Sequence, residues 1–274
     1  MNTSTVFRKN NVAVITGGAD GIGLAAAKAL SKLGMKVCLA DLNRKKLSEA
    51  GSSLKNNALI VETDVGNFNA VLALKEQVME RFGRIDFLFI NAGTAAKSGS
   101  WEKLENWKKI LNTNLWGVIN CIHAFAPEML NQSDPSIIVT TGSKQGITTP
   151  PGNPAYNVSK AAVKATAEAL QHSLRNYPGS QVVSHLLVPG FTYTGMIDSP
   201  AKPDSAWTAD QVVDFMFRSI ERGDFYILCP DNDVDRTIDN KRISWASGDI
   251  IHNRPPLSRW HPDYREAFDL EMNK

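Results

Sequence analysis

The stretch VAVITGGADGIGLAAAKAL, residues 12–30, passes from a β-branched run through a glycine-rich turn into an alanine-rich helical pattern. Gly17, Gly21 and Gly23 allow backbone N–H groups to approach an anion, and the following helix directs its positive N-terminal end to the same point. Their spacing, G-x-x-x-G-x-G, differs from the G-x-G-x-x-G dinucleotide motif, and tight strand–helix turns also need glycine for structural reasons. The stretch therefore predicts the first unit of a doubly wound α/β sheet, with a phosphate-binding turn as its functional hypothesis.

Short β-branched runs continue to alternate with longer helical patterns along the rest of the chain. Strands are predicted at 11–16, 36–41, 58–63, 85–91, 136–141, 181–188 and 225–229. Helices are predicted near 22–34, 43–54, 67–82, 103–130, 154–176 and 209–222. Because the strands are apolar on both faces and alternate with helices, they predict a parallel sheet of about seven strands with helices on both sides.

The composition is that of an ordinary globular chain. Of the 274 residues, 43 % are hydrophobic, and 30 basic against 28 acidic residues give a formal net charge of +2. These charges are interspersed, so we expect no nucleic-acid or membrane partner. The start MNTSTVFRKNN is polar and lacks an apolar segment of signal-peptide length, so we expect neither export nor membrane anchoring. Cys38, Cys121 and Cys229 each lie in an apolar run, which favours buried, reduced thiols and a cytoplasmic location.

Asp41 ends the second predicted strand, 18 residues after Gly23. A carboxylate at this place accepts hydrogen bonds from the ribose hydroxyls of a dinucleotide and repels a 2′-phosphate. Asp20, just before the second glycine of the turn, is a further acid where a phosphate-binding cation would stand. The two acids favour NAD over NADP, although Arg44 could swing toward a phosphate. The alternative is that Asp41 caps the next helix, for which Asn43 is as good a residue.

The stretch PAYNVSK, residues 154–160, places Tyr156 and Lys160 one turn apart on one helical face. Asn153 as N-cap and Pro154 as first residue predict that the helix begins here. A nearby ammonium and the positive helix end both favour phenolate, so the pKa of Tyr156 is predicted to lie below its ordinary value of about 10. A phenol tuned in this way can transfer protons.

Several motifs occur together in one order along the chain: TGGADGIG at 16–23, NAG at 91–93, Ser143 in TTGSKQG, and the pattern from Tyr156 to Lys160. In this order and spacing they resemble the short-chain dehydrogenase/reductase family, over residues 11 to 228. The resemblance implies a Rossmann-like fold and an NAD(P)-dependent oxidoreductase that acts on CH–OH groups by hydride transfer.

The resemblance also implies a role for each matching residue. Tyr156 would be the general acid/base, Lys160 would hold the nicotinamide ribose and lower the tyrosine pKa, and Ser143 would hydrogen-bond the reacting oxygen. Asn114, in NTNLWG, matches a fourth catalytic position, where the helix backbone holds a water of the proton relay. Cofactor contacts are implied for Gly17, Gly21, Ile22, Gly23, Asp41, Asp64, Val65, Asn91, Ala92, Gly93, Tyr156, Lys160, Pro189, Gly190, Thr192 and Thr194.

A single domain is expected over residues 1–274, because neither a flexible linker nor a repeat divides the chain. Residues 11–190 would form the cofactor-binding core, and residues 191–224 a substrate-binding loop and helix. Residues 230–274 form an extension in place of the family's commonest ending, a final strand closed by a glycine-rich turn. This extension could cover the substrate cleft, enter a subunit interface or wrap the core.

Metal and serine-hydrolase chemistry are disfavoured. The five histidines show no ligand spacing. The acids of DNDVDR, at 231–236, resemble a calcium loop, but Arg236 stands where glycine is required, so the start of a capped helix is predicted. The sequence GSKQG around Ser143 departs from the G-x-S-x-G nucleophile elbow.

The predicted substrate contacts are mostly apolar with two amides: Ser143, Gln145, Ile147, Asn153, Tyr156, Tyr193, Met196 and Trp207. This mixture favours a neutral secondary alcohol or ketone. Two alternatives stay open, an NADPH-dependent carbonyl reductase and a non-catalytic protein that senses the nucleotide on the same fold. The helices at 103–130 and 154–176 carry more small and apolar residues than one buried stripe needs, which predicts a homodimer or homotetramer.

Overall fold

The computed structural model describes residues 5–54, 58–197 and 199–273. Most of the polar start MNTST, one residue of the loop at 191–207 and the last residue of the extension therefore lie outside the described residues.

A single parallel sheet forms the centre of the protein. Within the described residues the strands are β1 (Val12–Thr16), β2 (Lys36–Asp41), β3 (Leu59–Glu62), β4 (Phe87–Ile90), β5 (Ser136–Thr141), β6 (Val182–Val188), β7 (Thr192–Tyr193), β8 (Trp207–Thr208) and β9 (Tyr226–Leu228). Seven of them pair in the order β3-β2-β1-β4-β5-β6-β9, and the short strands β7 and β8 pair with each other. The predicted seven-stranded parallel sheet is confirmed.

Helices connect the strands and cover both faces of the sheet. The α-helices of the described residues are α1 (Gly21–Lys32), α2 (Arg44–Ser52), α3 (Phe68–Phe82), α4 (Leu104–Leu111), α5 (Gly117–Leu130), α6 (Gln145–Thr148), α7 (Pro154–Asn176), α8 (Ala209–Arg222), α9 (Arg236–Ile251) and α10 (Arg265–Asn273). Local signals set several of their ends. The Thr208 hydroxyl and Gln211 form a capping box that starts α8, and Gly223 ends it with a φ of 79°.

Alternate residues of β1 enter opposite hydrophobic cores. Val12 and Val14 face the core that includes α3, α5 and α7, whereas Ala13 and Ile15 face the core that includes α1 and α8. All five residues of β1 are buried, because a strand covered by helices on both faces has no solvent-facing side.

The order of the strands reverses at β1, which lies between β2 and β4. In an open parallel sheet, the connections on either side of such a reversal diverge and leave a crevice at the carboxyl ends of the strands. The fold therefore positions a site next to the glycine turn after β1.

The helix predicted over 103–130 differs from the observed one. It is divided into α4 and α5 by a π-helical turn, Asn112–Trp116. Gly117, the first residue of α5, lies so close to β3's following loop that an added Cβ would be 2.6 Å from Val65 Cγ2. Periodicity averaged over a long window does not detect a change of one residue in helical register, so the sequence predicted a continuous helix.

The extension folds into α9 and α10. The Asp235 side chain accepts a hydrogen bond of 2.8 Å from the Ile238 amide, which confirms the predicted capped helix start. Trp245 of α9 is buried, lies edge-on to Phe268 at 5.3 Å between ring centroids, and has the Arg254 guanidinium 4.1 Å from its own ring centroid. The extension thus has a small aromatic core of its own.

The three cysteines are buried and free, as predicted. Among the described helices, none combines the length and apolar character needed to cross a membrane. In the same part of the chain, no group of three or more His, Cys, Asp or Glu side chains is arranged to hold a metal ion.

Candidate active site

A cleft of about 610 Å³ lies at the carboxyl ends of the strands, next to the glycine turn. Its volume is typical of a small-molecule or cofactor site. Most residues that the sequence singled out line it: Gly17, Gly21, Ile22, Asp41, Asn91, Gly93, Ser143, Gln145, Asn153, Tyr156, Lys160, Pro189, Gly190, Thr192, Thr194 and Met196. The fold thus gathers segments from between residues 17 and 197 into one cavity.

The glycine turn forms one wall of the cleft. Gly17 and Gly21 have φ angles of 62° and 53°, a region that side chains rarely adopt. A Cβ at Gly17 would lie 2.8 Å from the Cα of Ala92, and one at Gly23 would collide with the Gly17 carbonyl. Glycine at these positions leaves backbone alone facing the cleft, beside the N-terminus of α1.

Asp41 supports this turn from β2. Its Oδ2 accepts a hydrogen bond of 3.2 Å from the Ala19 amide, and its Oδ1 accepts one of 3.0 Å from the Asn43 amide. The cap of α2 is Asn43, whose side chain accepts a hydrogen bond from the Lys46 amide. The alternative that Asp41 is merely a helix cap is therefore wrong, and its carboxylate lines the cleft.

A cation lies at this end of the cleft that the sequence did not predict. Lys46 Nζ is 2.6 Å from Asp20 Oδ2, and both residues line the cleft. Burial opposes ionisation of Asp20, but hydrogen bonds from Lys46 and the Gly21 amide hold its pKa below the ordinary value. Arg44, the cation considered from the sequence, points instead toward Glu62 at 3.9 Å. The place of a phosphate-binding cation is thus filled by an ion pair.

Tyr156 and Ser143 both line the cleft. Burial raises the pKa of Tyr156, and the Ser143 hydroxyl acts in the opposite direction without reversing the shift. The predicted lowering of this pKa is therefore wrong for the protein alone. The positive charges invoked from the sequence do not overcome the loss of water around the phenol.

Lys160 is almost fully buried, with 4 % of its surface exposed. Its Nζ donates a hydrogen bond of 2.8 Å to the Thr141 carbonyl and lies 5.8 Å from the centroid of the Tyr156 ring. Burial lowers its pKa from 10.5 to about 8. Tyr156 and Lys160, predicted to lie on one helical face, are thus held close together where little water surrounds them.

Asn114 lies in the π-helical turn and is fully buried. Its Oδ1 accepts from the Thr94 amide at 2.8 Å, and its Nδ2 donates to the Thr94 carbonyl at 3.0 Å and to Ser159 Oγ at 3.1 Å. The side chain thus joins the segment after β4 to the helix that carries Tyr156. A π turn shifts the register of the helix by one residue and is frequent at functional sites.

Replacing Asn114 with alanine is expected to lower the free energy of unfolding by roughly 2–3 kcal/mol, because Thr94 loses both partners in a partly buried place. It should also reduce turnover, since the α7 segment is no longer held. Urea unfolding and steady-state kinetics measure the two effects. The matched control is Asn106→Ala, which removes one exposed bond to Lys97; an equal loss in both variants would contradict this role for Asn114.

Asn153 is the N-cap residue of α7, as predicted, but its side chain makes no capping hydrogen bond. Its Nδ2 donates to the Ala96 carbonyl at 3.0 Å, and its Oδ1 accepts from Ser98 Oγ at 2.7 Å. Ser98 in turn accepts a hydrogen bond of 3.1 Å from the Ala155 amide and so serves as the cap from another segment. Only the tertiary structure brings a hydroxyl 57 residues away to the start of the helix.

Some predicted residues lie beside the cleft rather than in its wall. Asp64 accepts a hydrogen bond from the Gly66 amide, and the Val65 carbonyl accepts one from Asn120. The Tyr193 hydroxyl donates to the Ser199 carbonyl at 3.2 Å. These contacts shape the loops around the site, together with Gly23, Ala92 and Asn114. Ile147 and Trp207, also considered as substrate contacts, lie outside the cleft lining as well.

Sequence reasoning also missed residues that line the cleft, notably Lys46, Thr141 and Lys144. Lys46 lies in the first turn of the helix after Asp41, and Lys144 directly follows Ser143, so their positions in the chain were usable signals. The role of Thr141 comes from its carbonyl group, for which residue identity carries no signal.

A family model described as short chain dehydrogenase matches residues 11–204. The chain belongs to the short-chain dehydrogenase family. The resemblance found in the sequence is thereby confirmed, and the protein is an oxidoreductase of this type. The match ends at residue 204, before β8, so α8 and the whole extension lie beyond it.

Individual members of the short-chain dehydrogenase family align over most of their length. An uncharacterized oxidoreductase of Staphylococcus saprophyticus is 34 % identical over 211 residues, which are 75 % of this chain and 86 % of that protein. The 1-deoxy-11-beta-hydroxypentalenate dehydrogenase of Streptomyces exfoliatus is 28 % identical, over 80 % of this chain and 83 % of its own. A short-chain dehydrogenase/reductase from Burkholderia phymatum, crystallised in complex with NAD, superimposes with a TM-score of 0.82 at 32 % identity, over 90 % of this chain and 96 % of that one.

Proposed function

We propose that the protein is an NAD-dependent enzyme that interconverts a neutral secondary alcohol and the corresponding ketone. The observation that carries this proposal is the grouping of Ser143, Tyr156 and the buried Lys160 in one cleft that also contains the glycine turn and Asp41. A site that only senses a nucleotide has no need of a phenol grouped with a hydroxyl and a buried lysine.

The residues around the cleft fit a dinucleotide. Gly17 and Gly21 present backbone where a Cβ would fill the space, and the N-terminus of α1 favours a pyrophosphate. Asp41 would accept hydrogen bonds from the adenosine ribose, and residues 189–194 would hold the nicotinamide. When bound, the nicotinamide ring supplies or accepts the hydride. The complex of the Burkholderia phymatum relative with NAD supports this choice of cofactor.

The roles of the catalytic residues follow from their contacts. Tyr156 takes the alcohol proton in oxidation and returns it to the carbonyl oxygen in reduction. Ser143, which lines the same cleft as Tyr156, orients the reacting oxygen. Lys160, close to the Tyr156 ring, stabilises the phenolate electrostatically. Asn114 holds the helix turn on which Tyr156 and Ser159 lie.

The side chains that line the cleft away from the glycine turn favour a neutral substrate. Phe191, Met196 and Ile197 give it an apolar surface, and Gln145 and Asn153 provide amides. Lys144 also lines the cleft, but its ammonium is buried against Asp239 at 2.7 Å. A carboxylate or phosphate on the substrate would therefore meet no free positive charge from this lysine.

The proposal is tested by following nicotinamide absorbance at 340 nm over a panel of secondary alcohols and ketones, with NAD(H) and NADP(H) in parallel. We expect turnover with NAD(H) and neutral substrates. A preference for NADPH would favour the carbonyl reductase, and a protein that binds the nucleotide but turns over none of the panel would favour the sensor.

Replacing Asp41 with asparagine is expected to raise kcat/KM with NADP relative to NAD by about tenfold or more, because one charge that repels the 2′-phosphate is removed while Lys46 remains. The matched control is Glu62→Gln, which changes the residue paired with Asp41 on the neighbouring strand, outside the cleft lining. An unchanged cofactor ratio in the Asp41 variant would contradict its assigned role.

Self-association stays a prediction. The helices named for it expose large apolar side chains, with Trp116 54 % and Val158 46 % exposed, which is consistent with a homodimer or homotetramer formed through this side of the protein.

A further inference from the structure

The extension reaches the active site through Lys144, the residue that follows Ser143. Lys144 Nζ lies 2.7 Å from Asp239 Oδ2 of α9 and 3.6 Å from Asp231 Oδ2. The ammonium is buried, and Asp239 has 4 % of its surface exposed. The segment that carries a proposed catalytic hydroxyl is therefore tied to the extension by a buried ion pair.

Asp231 joins this pair to a second wall of the site. Its Oδ2 accepts a hydrogen bond of 3.0 Å from the Phe191 amide. At Gly190 the two backbones lie so close that a Cβ would be 2.8 Å from the Pro230 carbonyl oxygen. One carboxylate thus connects the loop after β6 with the lysine beside Ser143.

Asn232 holds the other end of the loop at 191–207. Its amide donates to the Ser205 carbonyl at 3.1 Å, and its Nδ2 donates to the Asp204 carbonyl at 2.5 Å. The Trp207 amide also donates to the Phe191 carbonyl at 2.9 Å, so the two ends of the loop lie side by side. Two consecutive residues, Asp231 and Asn232, therefore fix both ends of this loop, whose first part lines the cleft.

We propose that the start of the extension is a positioning element of the active site, in which Asp239 and Asp231 act through Lys144 to hold Ser143 against Tyr156. This inference rests on the proposed oxidoreductase function. Its physical basis is that a buried ammonium without its partners moves toward water and carries the adjacent serine with it. Displacements of about 1 Å in a catalytic group reduce rates on the order of 10²-fold.

Stability alone is a poor reason for this arrangement. Burial raises the pKa of Asp239, although Lys144 and Arg242 act in the opposite direction, so ionisation of this carboxylate is costly. Well-packed apolar residues often replace a buried ion pair without loss of stability. The ion pair between Lys144 and Asp239 joins the extension to the residue next to Ser143. Its better explanation is that it fixes the position of Ser143.

The test compares Asp239→Asn with a matched variant in the same extension, Asp249→Asn. Asp249 binds Arg254 at 2.9 Å and the Ser258 amide at 3.0 Å, which ties the extension to itself. Both variants lose one carboxylate from a buried pair, so both should lower Tm. We expect Asp239→Asn to lower kcat about 10- to 100-fold with cofactor KM within about threefold, and Asp249→Asn to keep kcat within about twofold.

A second comparison separates position from charge burial. The double variant Lys144→Met with Asp239→Asn removes the charges of Lys144 and Asp239 and leaves Asp231 with its hydrogen bond from the Phe191 amide, so it should recover part of the Tm lost in Asp239→Asn. If the pair positions Ser143, kcat stays low in the double variant, and the deuterium isotope effect on kcat with a carbinol-deuterated alcohol rises because hydride transfer limits turnover.

Three results would overturn the inference: wild-type kcat in Asp239→Asn, recovery of kcat together with Tm in the double variant, or an equal loss of kcat in Asp249→Asn. All of them are measured against an active wild-type enzyme, with its best substrate from the alcohol and ketone panel. A wild-type protein without turnover overturns the proposed function itself, and this inference with it.

Discussion

Replacing Tyr156 with phenylalanine is expected to lower kcat by on the order of 10³-fold or more while nucleotide affinity changes little. The hydroxyl is the proposed proton carrier, and general acid–base groups typically contribute 10²- to 10⁴-fold. Phenylalanine keeps the ring and its packing, so the cleft retains its shape. Steady-state kinetics at 340 nm and quenching of protein fluorescence by NADH measure the two quantities separately.

The matched control is Tyr226→Phe. Tyr226 lies on β9, outside the cleft lining, and its hydroxyl donates a hydrogen bond of 2.5 Å to Glu168. This variant should keep its turnover. Substantial activity in Tyr156→Phe would contradict the proposed mechanism, whereas loss of activity in both variants would point to a general structural effect.

Replacing Lys160 with methionine is expected to stabilise the protein at neutral pH while abolishing most of its activity. The pKa of Lys160 is lowered by burial from 10.5 to about 8, so the folded state holds its proton less tightly than the unfolded state does. Below pH 8 the buried charge costs on the order of 3 kcal/mol. Methionine removes this cost but also the hydrogen bond to the Thr141 carbonyl, so a net gain of about 1–2 kcal/mol is expected.

The same argument gives the pH dependence. Between pH 8 and about 10.5 the unfolded chain binds more protons at this lysine than the folded protein, so the stability of the wild type rises with pH across this window. The advantage of Lys160→Met should therefore shrink from pH 7 to pH 10. Urea unfolding of the wild type and of Lys160→Met at both pH values isolates the contribution of Lys160, because all other groups titrate alike in the two proteins.

The control for Lys160→Met lies one turn further along α7. The side chain of Lys164 is 37 % exposed, and its ammonium lies 2.7 Å from the Glu168 carboxylate. Lys164→Met should therefore change the free energy of unfolding by less than about 0.5 kcal/mol and leave activity intact. A variant at Lys160 that is less stable than the wild type at pH 7 would show that the lysine contributes to folding, contrary to this expectation.

The local part of the site was predictable because its information lies within a few residues. The order of strand, glycine turn and helix at 12–30 follows from backbone requirements that neighbouring residues satisfy together. The spacing of Tyr156 and Lys160 puts them on one helical face in any fold. Asp41 at the end of β2 could likewise be assigned to the cleft, since strands of a parallel sheet end on the same edge.

Other parts of the site depend on residues far apart in the chain. Lys144 and Asp239 are 95 positions apart, and Ser98 caps a helix that begins more than fifty residues later. Periodicity reports which residues are apolar along one element, but it does not report which element packs against which. For this reason the sequence placed the start of α7 at Asn153 but did not predict that Ser98 supplies the capping hydroxyl.

The sequence by itself determined the doubly wound sheet, the glycine turn and the pairing of Tyr156 with Lys160, because each follows from local backbone geometry and periodicity. The tertiary structure alone decided the pKa of Tyr156, the ion pair between Asp20 and Lys46, and the attachment of the extension to Lys144. These features depend on how much water surrounds a group and which distant charge lies near it, and both are set only when the elements have packed together.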